Sequence, residues 1–88
     1  MPWRIEYTPQ AAKELERLDR PVARRIIKFL DERVIPCENP RAIGEALHGQ
    51  LGQYWKYRVG DCRVICEIQD KVVKIIVVSV GNRRDVYR

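Results

Sequence analysis

An apolar run near the C-terminus dictates much of the fold. Residues 72–80 read Val-Val-Lys-Ile-Ile-Val-Val-Ser-Val, so an extended chain there carries apolar side chains on both faces. Such a strand has to be covered on both sides, which is typical of a strand inside a sheet and not of one that faces water. We therefore predict a central β-strand over residues 72–80.

Two shorter strands are predicted to precede it in an antiparallel meander. Residues 54–59 and 62–68 flank Gly60-Asp61, a two-residue hairpin turn of the type with glycine first. Asp70-Lys71 is the predicted turn into the central strand. This second turn predicts Glu67 opposite Lys74 and, on the core face, Cys66 opposite Ile75 and Val64 opposite Val77.

The first turn also decides which side chains share a face of the sheet. Directly opposed residues lie on one face, and the faces alternate along each strand. The turn therefore sets Arg58 opposite Arg63, with Lys56 two residues away on the same face. The opposite face, which the helices should cover, receives Trp55, Tyr57, Val59, Cys62, Val64 and Cys66.

The N-terminal half shows a strand followed by two helices. Trp3, Ile5 and Tyr7 alternate with polar residues, and Thr8-Pro9 then gives a helix start over residues 9–18. Apolar residues at helical spacing from Pro21 predict a second helix over 21–34. Residues 36–53 hold two prolines and three glycines and are read as a connection with one short helical turn.

The predicted fold is therefore α+β within a single domain spanning residues 1–88. An N-terminal strand and an antiparallel hairpin of two helices precede a three-stranded antiparallel meander, and the helices pack on one face of the sheet.

Charge points to a polyanionic partner for the second half of the chain. The 88 residues carry a net charge of +5, of which residues 1–40 supply +1 and residues 41–88 supply +4. Such an excess of cations favours nucleic acid as a partner, and a basic surface that only aids solubility is the alternative.

The three cysteines and the apolar pattern suggest a cytoplasmic protein. Cys62 and Cys66 lie about 13 Å apart on one predicted strand, too far for a disulfide, and are read as small core side chains. Cys37 lies in the connection. With one histidine and no CxxC motif, the sequence predicts no metal site and no cofactor. No apolar stretch is long enough to span a membrane, and no signal peptide is evident.

The chemistry of this sequence lies in its opposed cations. Arg58 and Arg63, with Cβ atoms about 5 Å apart, repel each other, and Lys56 is only about 7 Å along the strand. A bound phosphate would neutralise this repulsion. The alternative is three solvated side chains that splay apart. The tail Gly-Asn-Arg-Arg-Asp-Val-Tyr-Arg, residues 81–88, is expected to bring Arg83, Arg84 and Tyr87 beside this face.

These motifs resemble the RelE branch of the RelE/ParE toxin superfamily along essentially the whole chain. The diagnostic parts are Trp-Lys-Tyr-Arg-Val-Gly-Asp-x-Arg-Val at residues 55–64 and Val-Gly-Asn-Arg-Arg-Asp-Val-Tyr at residues 80–87. The resemblance implies a toxin of a type II toxin–antitoxin pair. RelE-type toxins cut mRNA in the ribosomal A site by attack of the RNA's own 2′-hydroxyl, which leaves a 2′,3′-cyclic phosphate. A cognate antitoxin would bind the toxin in a hetero-oligomeric complex.

The resemblance also implies a role for each site residue. Lys56, Arg58 and Arg63 would hold the phosphate, and Arg83 would assist the leaving oxygen, although Arg84 competes for that role. Tyr87 would accept the 2′-hydroxyl proton, because neighbouring cations lower a phenol's pKa. Many relatives have a histidine at position 82 or in the tail, where this chain has none. His48, in a glycine-rich loop, is read as structural.

Two other functions fit the same sequence. A ParE-like inhibitor of DNA gyrase shares the fold without nuclease activity, although such proteins usually lack the strand lysine and the terminal tyrosine that stand here as Lys56 and Tyr87. A nucleic-acid-binding module without catalysis would show salt-dependent binding and no cleaved ends.

Overall fold

The computed structural model describes residues 3–47 and 53–82, and it shows two helices and a five-stranded sheet. The sheet order is β1-β5-β4-β3-β2, with β1 parallel to β5 and the other neighbours antiparallel. The predicted α+β class is confirmed. The elements are β1 (Arg4–Tyr7), α1 (Pro9–Arg17), α2 (Arg20–Phe29), β2 (Glu45–Ala46), β3 (Trp55–Val59), β4 (Cys62–Gln69) and β5 (Lys74–Asn82).

The two helices begin close to where their proline signals predict. The Thr8 hydroxyl accepts a hydrogen bond from the Ala11 amide at 3.1 Å and so caps α1, with Pro9 at its first position. The second helix starts at Arg20, one residue before the predicted start at Pro21, and continues as a π-helical turn over Leu30–Val34. Together these two segments cover the predicted helix 21–34.

The core lies between the helices and one face of the sheet, as predicted. Helix residues Ala11, Ile26, Leu30 and Val34 are fully buried against it. The sheet side of this core comprises Tyr57, Val59, Cys62, Val64, Cys66, Ile75, Val77 and Val80. Every predicted core residue of the first hairpin is therefore buried except Trp55, which is partly buried.

The first hairpin has the predicted register. Arg58 pairs with Arg63, Lys56 with Ile65 and Val59 with Cys62. Gly60 has a φ of +59°, a conformation that glycine adopts without strain at the first position of such a turn. Local turn chemistry is therefore sufficient to fix this half of the sheet.

The predicted register of the second hairpin is wrong by two residues. The connection is a 3₁₀ turn over Asp70–Val72 followed by Val73 at a φ of +52°, so Gln69 pairs with Lys74 and Glu67 faces Ile76. A β-branched residue rarely adopts this left-handed conformation, so no sequence signal announces it. The Val73 side chain packs against the core, which favours the longer turn.

A bulge further along the same pair adds one residue to β5. The register shifts between Ile65 and Cys66, so that Cys66 pairs with Val77 but Val64 pairs with Val80. The shift of two residues leaves the inward face of Ile75 and Val77 as predicted, whereas the bulge turns Val80 inward. Cys66–Ile75 and Val64–Val77 are therefore not directly opposed pairs.

The segment between the helices and β3 is more ordered than predicted. It contains the expected short helical turn, over Pro40–Ala42, and also the two-residue strand β2, which pairs with β3 at the edge of the sheet. Two aromatic side chains hold it: the Trp55 indole donates to the Ile43 carbonyl at 2.7 Å, and the Tyr57 hydroxyl donates to the Pro40 carbonyl at 2.7 Å.

Candidate nucleic-acid interface

The face of the sheet opposite the helices carries the three predicted cations. Lys56, Arg58 and Arg63 all lie on this face, which we call the cationic face, because the core residues between them point to the helices. Arg58 and Arg63 also line a small cleft of about 110 Å³ beside the Gly60-Asp61 turn. The register thus brings the first three predicted site residues together.

The exposure of the three cations differs from the alternative of three solvated side chains that splay apart. Arg58 is exposed, but Arg63 is only 4% exposed and Lys56 is also buried. Isolated charges are costly to remove from water, so buried cations need polar partners. Lys56 has one in Glu45, whose Oε1 lies 2.8 Å from the lysine Nζ.

Glu45 is the residue of this face that the sequence analysis missed. It stands on β2 directly opposite Lys56 on β3, and its carboxylate is 62% exposed. A strand of two residues is too short to show an alternating pattern, so β2 and its glutamate had no sequence signal. The expected repulsion among three cations is therefore partly relieved by an internal anion.

The bulge in β5 sets what stands beside Arg63. Gly81 pairs with Arg63, and Asn82, the last residue described before the tail, pairs with Cys62 next to the hairpin turn. A glycine leaves the space over Arg63 free of a neighbouring side chain on that strand. Arg83, Arg84 and Tyr87 lie outside the described residues, as does His48.

The end of β5 is held in place from α1. Glu14 accepts hydrogen bonds from the Val80 amide at 3.0 Å and from the Ser79 hydroxyl at 3.2 Å. The Thr8 hydroxyl donates to the Val78 carbonyl at 3.3 Å. The bonds to the Val80 amide and the Val78 carbonyl satisfy backbone groups of β5 beyond Val77, the last residue that pairs with β1.

None of the titratable core groups near the cationic face is suited to proton abstraction. Burial raises the pKa of the Tyr57 phenol, and the Tyr57 hydroxyl is engaged with a backbone carbonyl. Burial also raises the pKa of the Cys66 thiol to about 12 and that of Cys62 above its ordinary value. Both cysteines are core side chains, as predicted, and their raised pKa values disfavour the thiolate.

A second basic surface lies on α2. The helix carries Arg20, Arg24, Arg25 and Lys28, all exposed, and no acidic residue. The division of charge by halves of the sequence hides this cluster, because acidic residues of α1 and of the π-helical turn offset it. A charge count over single helices would have revealed it.

Neither a metal site nor a membrane-spanning helix occurs in the part of the chain that the structure describes. Residues 3–47 and 53–82 contain no group of three or more His, Cys, Asp or Glu side chains placed to hold a metal ion. No helix within the same residues is long and apolar enough to cross a membrane.

Comparison with known proteins finds similar sequences along nearly the whole chain. The family model described as "ParE toxin of type II toxin-antitoxin system, parDE" matches residues 5–87. Toxin RelE of Mycobacterium tuberculosis is 28% identical over 87 residues, which cover 99% of this chain and 88% of that protein.

Solved structures show the same fold. The isolated RelE toxin of Escherichia coli superposes with a TM-score of 0.73 at 26% identity, covering 97% of this chain and 90% of that one. The toxin–antitoxin complex RelBE2 of M. tuberculosis gives a TM-score of 0.86 at 20% identity, covering 94% and 100%. The chain therefore belongs to the ParE toxin family of type II toxin–antitoxin systems, within the RelE/ParE superfamily that its sequence resembles.

Proposed function

We propose that this toxin is a ribosome-dependent endoribonuclease that cleaves mRNA in the A site and so inhibits translation. The 2′-hydroxyl of the RNA attacks the adjacent phosphorus, the 5′-oxygen of the next nucleotide leaves, and a 2′,3′-cyclic phosphate remains. The observation that carries the proposal is the pairing of Arg58 with Arg63 on the cationic face.

The two arginines supply what this reaction most needs. Negative charge builds on the phosphate oxygens as the 2′-oxygen attacks, and donors fixed before the reaction stabilise that charge most effectively. A guanidinium offers several N–H donors in a planar fork that matches phosphate oxygens. Exposed Arg58 makes the first contact, and buried Arg63 presents a donor that is already in position.

Proton transfer is assigned to the tail. Tyr87 accepts the 2′-hydroxyl proton and Arg83 assists the leaving oxygen, with Arg84 as the competitor for that second role. Two observations support this assignment: the raised pKa of Tyr57 disfavours that phenol as the base, and β5 ends at Asn82 beside the hairpin turn, from which the tail continues. Such a site is weak alone, and RNA held in place by the ribosome would compensate by proximity.

The proposed partners follow from the same reading. The M. tuberculosis RelBE2 structure is a toxin–antitoxin complex, and we propose that this toxin likewise forms a hetero-oligomer with a cognate antitoxin. The ribosome and mRNA would be its targets, which places its action in the cytoplasm. No cofactor is needed for attack by the RNA's own hydroxyl.

The test is cleavage in a translating extract, with cut positions mapped by primer extension. Wild-type toxin is expected to give cuts in phase with codons and to cut naked RNA poorly. Arg58→Gln removes one phosphate donor and is expected to slow cleavage on the order of 100-fold. Lys71→Gln, which removes one exposed cation from the turn before β5, is the matched control and should cut like wild type.

Tyr87→Phe tests the base. It is expected to abolish cleavage while leaving RNA binding within about twofold, since the phenol moves a proton and holds little phosphate. Undiminished translation in the presence of wild-type toxin, with no mapped cuts, would refute the proposed function.

Inhibition of DNA gyrase is the second candidate, and the family model is the observation that favours it, since its description names ParE. A supercoiling assay with purified gyrase separates the two. Loss of supercoiling at stoichiometric toxin, in the absence of mRNA cuts, would assign the chain to the gyrase-inhibiting class.

A further inference from the structure

The cationic face contains an acidic residue for which the proposed reaction has no role. Glu45 Oε1 lies 2.8 Å from Lys56 Nζ, across the β2–β3 pair. The Lys56 side chain is 11% exposed, whereas that of Glu45 is 62% exposed. The carboxylate therefore covers a lysine that would otherwise present its charge to RNA.

The segment that brings this carboxylate to Lys56 is held against β3 by two hydrogen bonds and one close backbone approach. The Trp55 and Tyr57 side chains each hold a backbone carbonyl of the preceding turn at 2.7 Å. Gly44, at a φ of +83°, lies so close to β3 that an added Cβ would stand 2.4 Å from the Lys56 carbonyl oxygen. These contacts fix the backbone before Glu45 relative to β3, and so they determine where its carboxylate meets Lys56.

We propose that Glu45 is a positioning residue that acts as an internal counter-ion: it holds Lys56 neutralised in the resting toxin and yields it to an RNA phosphate on binding. The inference rests on the proposed function, since the displacing anion is a phosphate of the substrate. The lysine ammonium has three donors, and carboxylate and phosphate oxygens compete for them.

This exchange of partners allows the toxin to discriminate between loosely held RNA and RNA held in a defined position. A phosphate that approaches Lys56 meets the negative charge of Glu45, which weakens the binding of any loosely held RNA. RNA that other contacts already hold on the cationic face is less affected by this repulsion, because its phosphate stays beside Lys56. Free RNA is therefore bound weakly, and RNA presented in a defined position is bound well.

The same sheet provides a matched control. Glu6 on β1 pairs with Lys74 on β5, with Oε2 3.1 Å from Nζ, and both lie on the face away from the helices. Three strand spacings, about 14 Å, separate β1 from β3. That distance exceeds the Debye length of about 10 Å at 0.1 M salt and about 8 Å at physiological salt, so Glu6→Gln serves as the control at about 0.1 M salt and above. Glu6→Gln removes the same charge from the same face of the sheet, but at a position away from Lys56.

The experiment measures the binding of a short single-stranded RNA whose 2′-hydroxyls are methylated, so that it cannot be cleaved. Fluorescence anisotropy is recorded for full-length toxin from about 50 to 200 mM salt, the range over which phosphate contacts respond. Glu45→Gln is expected to bind about three- to tenfold more tightly than wild type. For Glu45→Gln, the slope of log affinity against log salt concentration should steepen by about 0.7, which corresponds to one additional phosphate contact.

A double-mutant cycle shows whether Glu45 acts through Lys56. The gain from Glu45→Gln is expected to vanish in a Lys56→Gln background, while Glu6→Gln stays within twofold of wild type in either background. Far-UV circular dichroism and thermal unfolding confirm that each variant is folded.

Each alternative result overturns the proposal in a recognisable way. Glu45→Gln that binds no more tightly than wild type, or that gains affinity equally without Lys56, refutes the counter-ion role and leaves the proposed function standing. Loss of mRNA cutting by Glu45→Gln at unchanged RNA affinity would instead make Glu45 a proton acceptor in the reaction. Absence of RNA binding by Glu45→Gln as well as by wild type at about 50 mM salt would refute the counter-ion role, whereas the nuclease function is refuted only by the absence of mapped cuts in the translating extract.

Discussion

Substitution of Gly44 by alanine should be among the most destabilising single changes in this protein. The new methyl group would stand 2.4 Å from the Lys56 carbonyl oxygen, 2.8 Å from the Trp55 indole nitrogen and 2.9 Å from a ring carbon of Tyr57. The first of these is backbone within β3 and cannot rotate away. Relief therefore requires that the segment carrying β2 moves off the sheet edge.

The magnitude has two parts. A non-glycine residue in the left-handed region costs roughly 1–2 kcal/mol, and overpacking against a fixed neighbour costs roughly 1–3 kcal/mol more. For a chain of this size each kcal/mol corresponds to about 4–8 °C in Tm. We expect Gly44→Ala to lower the unfolding free energy by about 2–5 kcal/mol and the Tm by at least about 8 °C.

Gly60→Ala is the matched control. Gly60 also has a positive φ, +59°, but its added Cβ would meet only the end of the Arg25 side chain, at 3.5 Å. This variant bears the left-handed cost alone, about 1–2 kcal/mol. The effect of losing glycine on the unfolded chain is the same in both variants and cancels in the comparison. Urea unfolding followed by circular dichroism measures both.

Equal losses for the two variants, within about 0.5 kcal/mol, would refute this reasoning, since the close approach to β3 would then contribute nothing measurable. A loss for Gly44→Ala that exceeds the loss for Gly60→Ala by about 1–3 kcal/mol would confirm that the close approach of Gly44 to β3 contributes to stability.

Two further predictions follow from the titratable groups. Asp70 accepts a bidentate pair of hydrogen bonds from Arg41, at 2.8 and 2.9 Å, which lowers the pKa of that carboxyl below 3.8. The stabilisation by this pair is therefore present at neutral pH and is lost as the pH falls through the lowered pKa of Asp70. The difference in unfolding free energy between wild type and Asp70→Asn should be small, because both side chains are exposed. It should shrink below pH 3.8. A difference that grows on acidification would contradict it. Burial raises the pKa of Cys66 to about 12 and also raises that of Cys62. A thiol reagent at about pH 8 should therefore modify partly exposed Cys37 first and the other two cysteines only after unfolding. Equal rates of modification for all three thiols would contradict the burial of Cys62 and Cys66.

The two hairpins show why part of the fold could be predicted and part could not. The Gly60-Asp61 turn is fixed by local backbone chemistry, and the register of β3 on β4 follows from it without any knowledge of the rest of the molecule. The turn before β5 is fixed by packing, because Val73 adopts an unfavourable φ of +52° while its side chain packs against the core. Propensity argued against that conformation, and tertiary contacts overrode it.

The candidate site shows the same contrast between features fixed by local backbone geometry and features fixed by tertiary contacts. Lys56, Arg58 and Arg63 could be placed on one face because alternation along a strand is a property of the backbone. Glu45 could not, because its position depends on hydrogen bonds from Trp55 and Tyr57 to a distant segment of chain. Side chains that reach across the fold leave no periodic signal in the sequence.

Burial of two of the cations argues against the explanation that the cationic face only aids solubility. If the charges served only to keep the protein soluble, their tips would remain in water, where a charged group costs nothing to hold. Instead Arg63 is 4% exposed, and Lys56 is buried beside the carboxylate of Glu45, which follows a backbone segment held by hydrogen bonds from Trp55 and Tyr57. Removal of a cation from water opposes folding unless its partner compensates. We therefore propose that this face binds an anion, with the exposed Arg58 as the first point of contact.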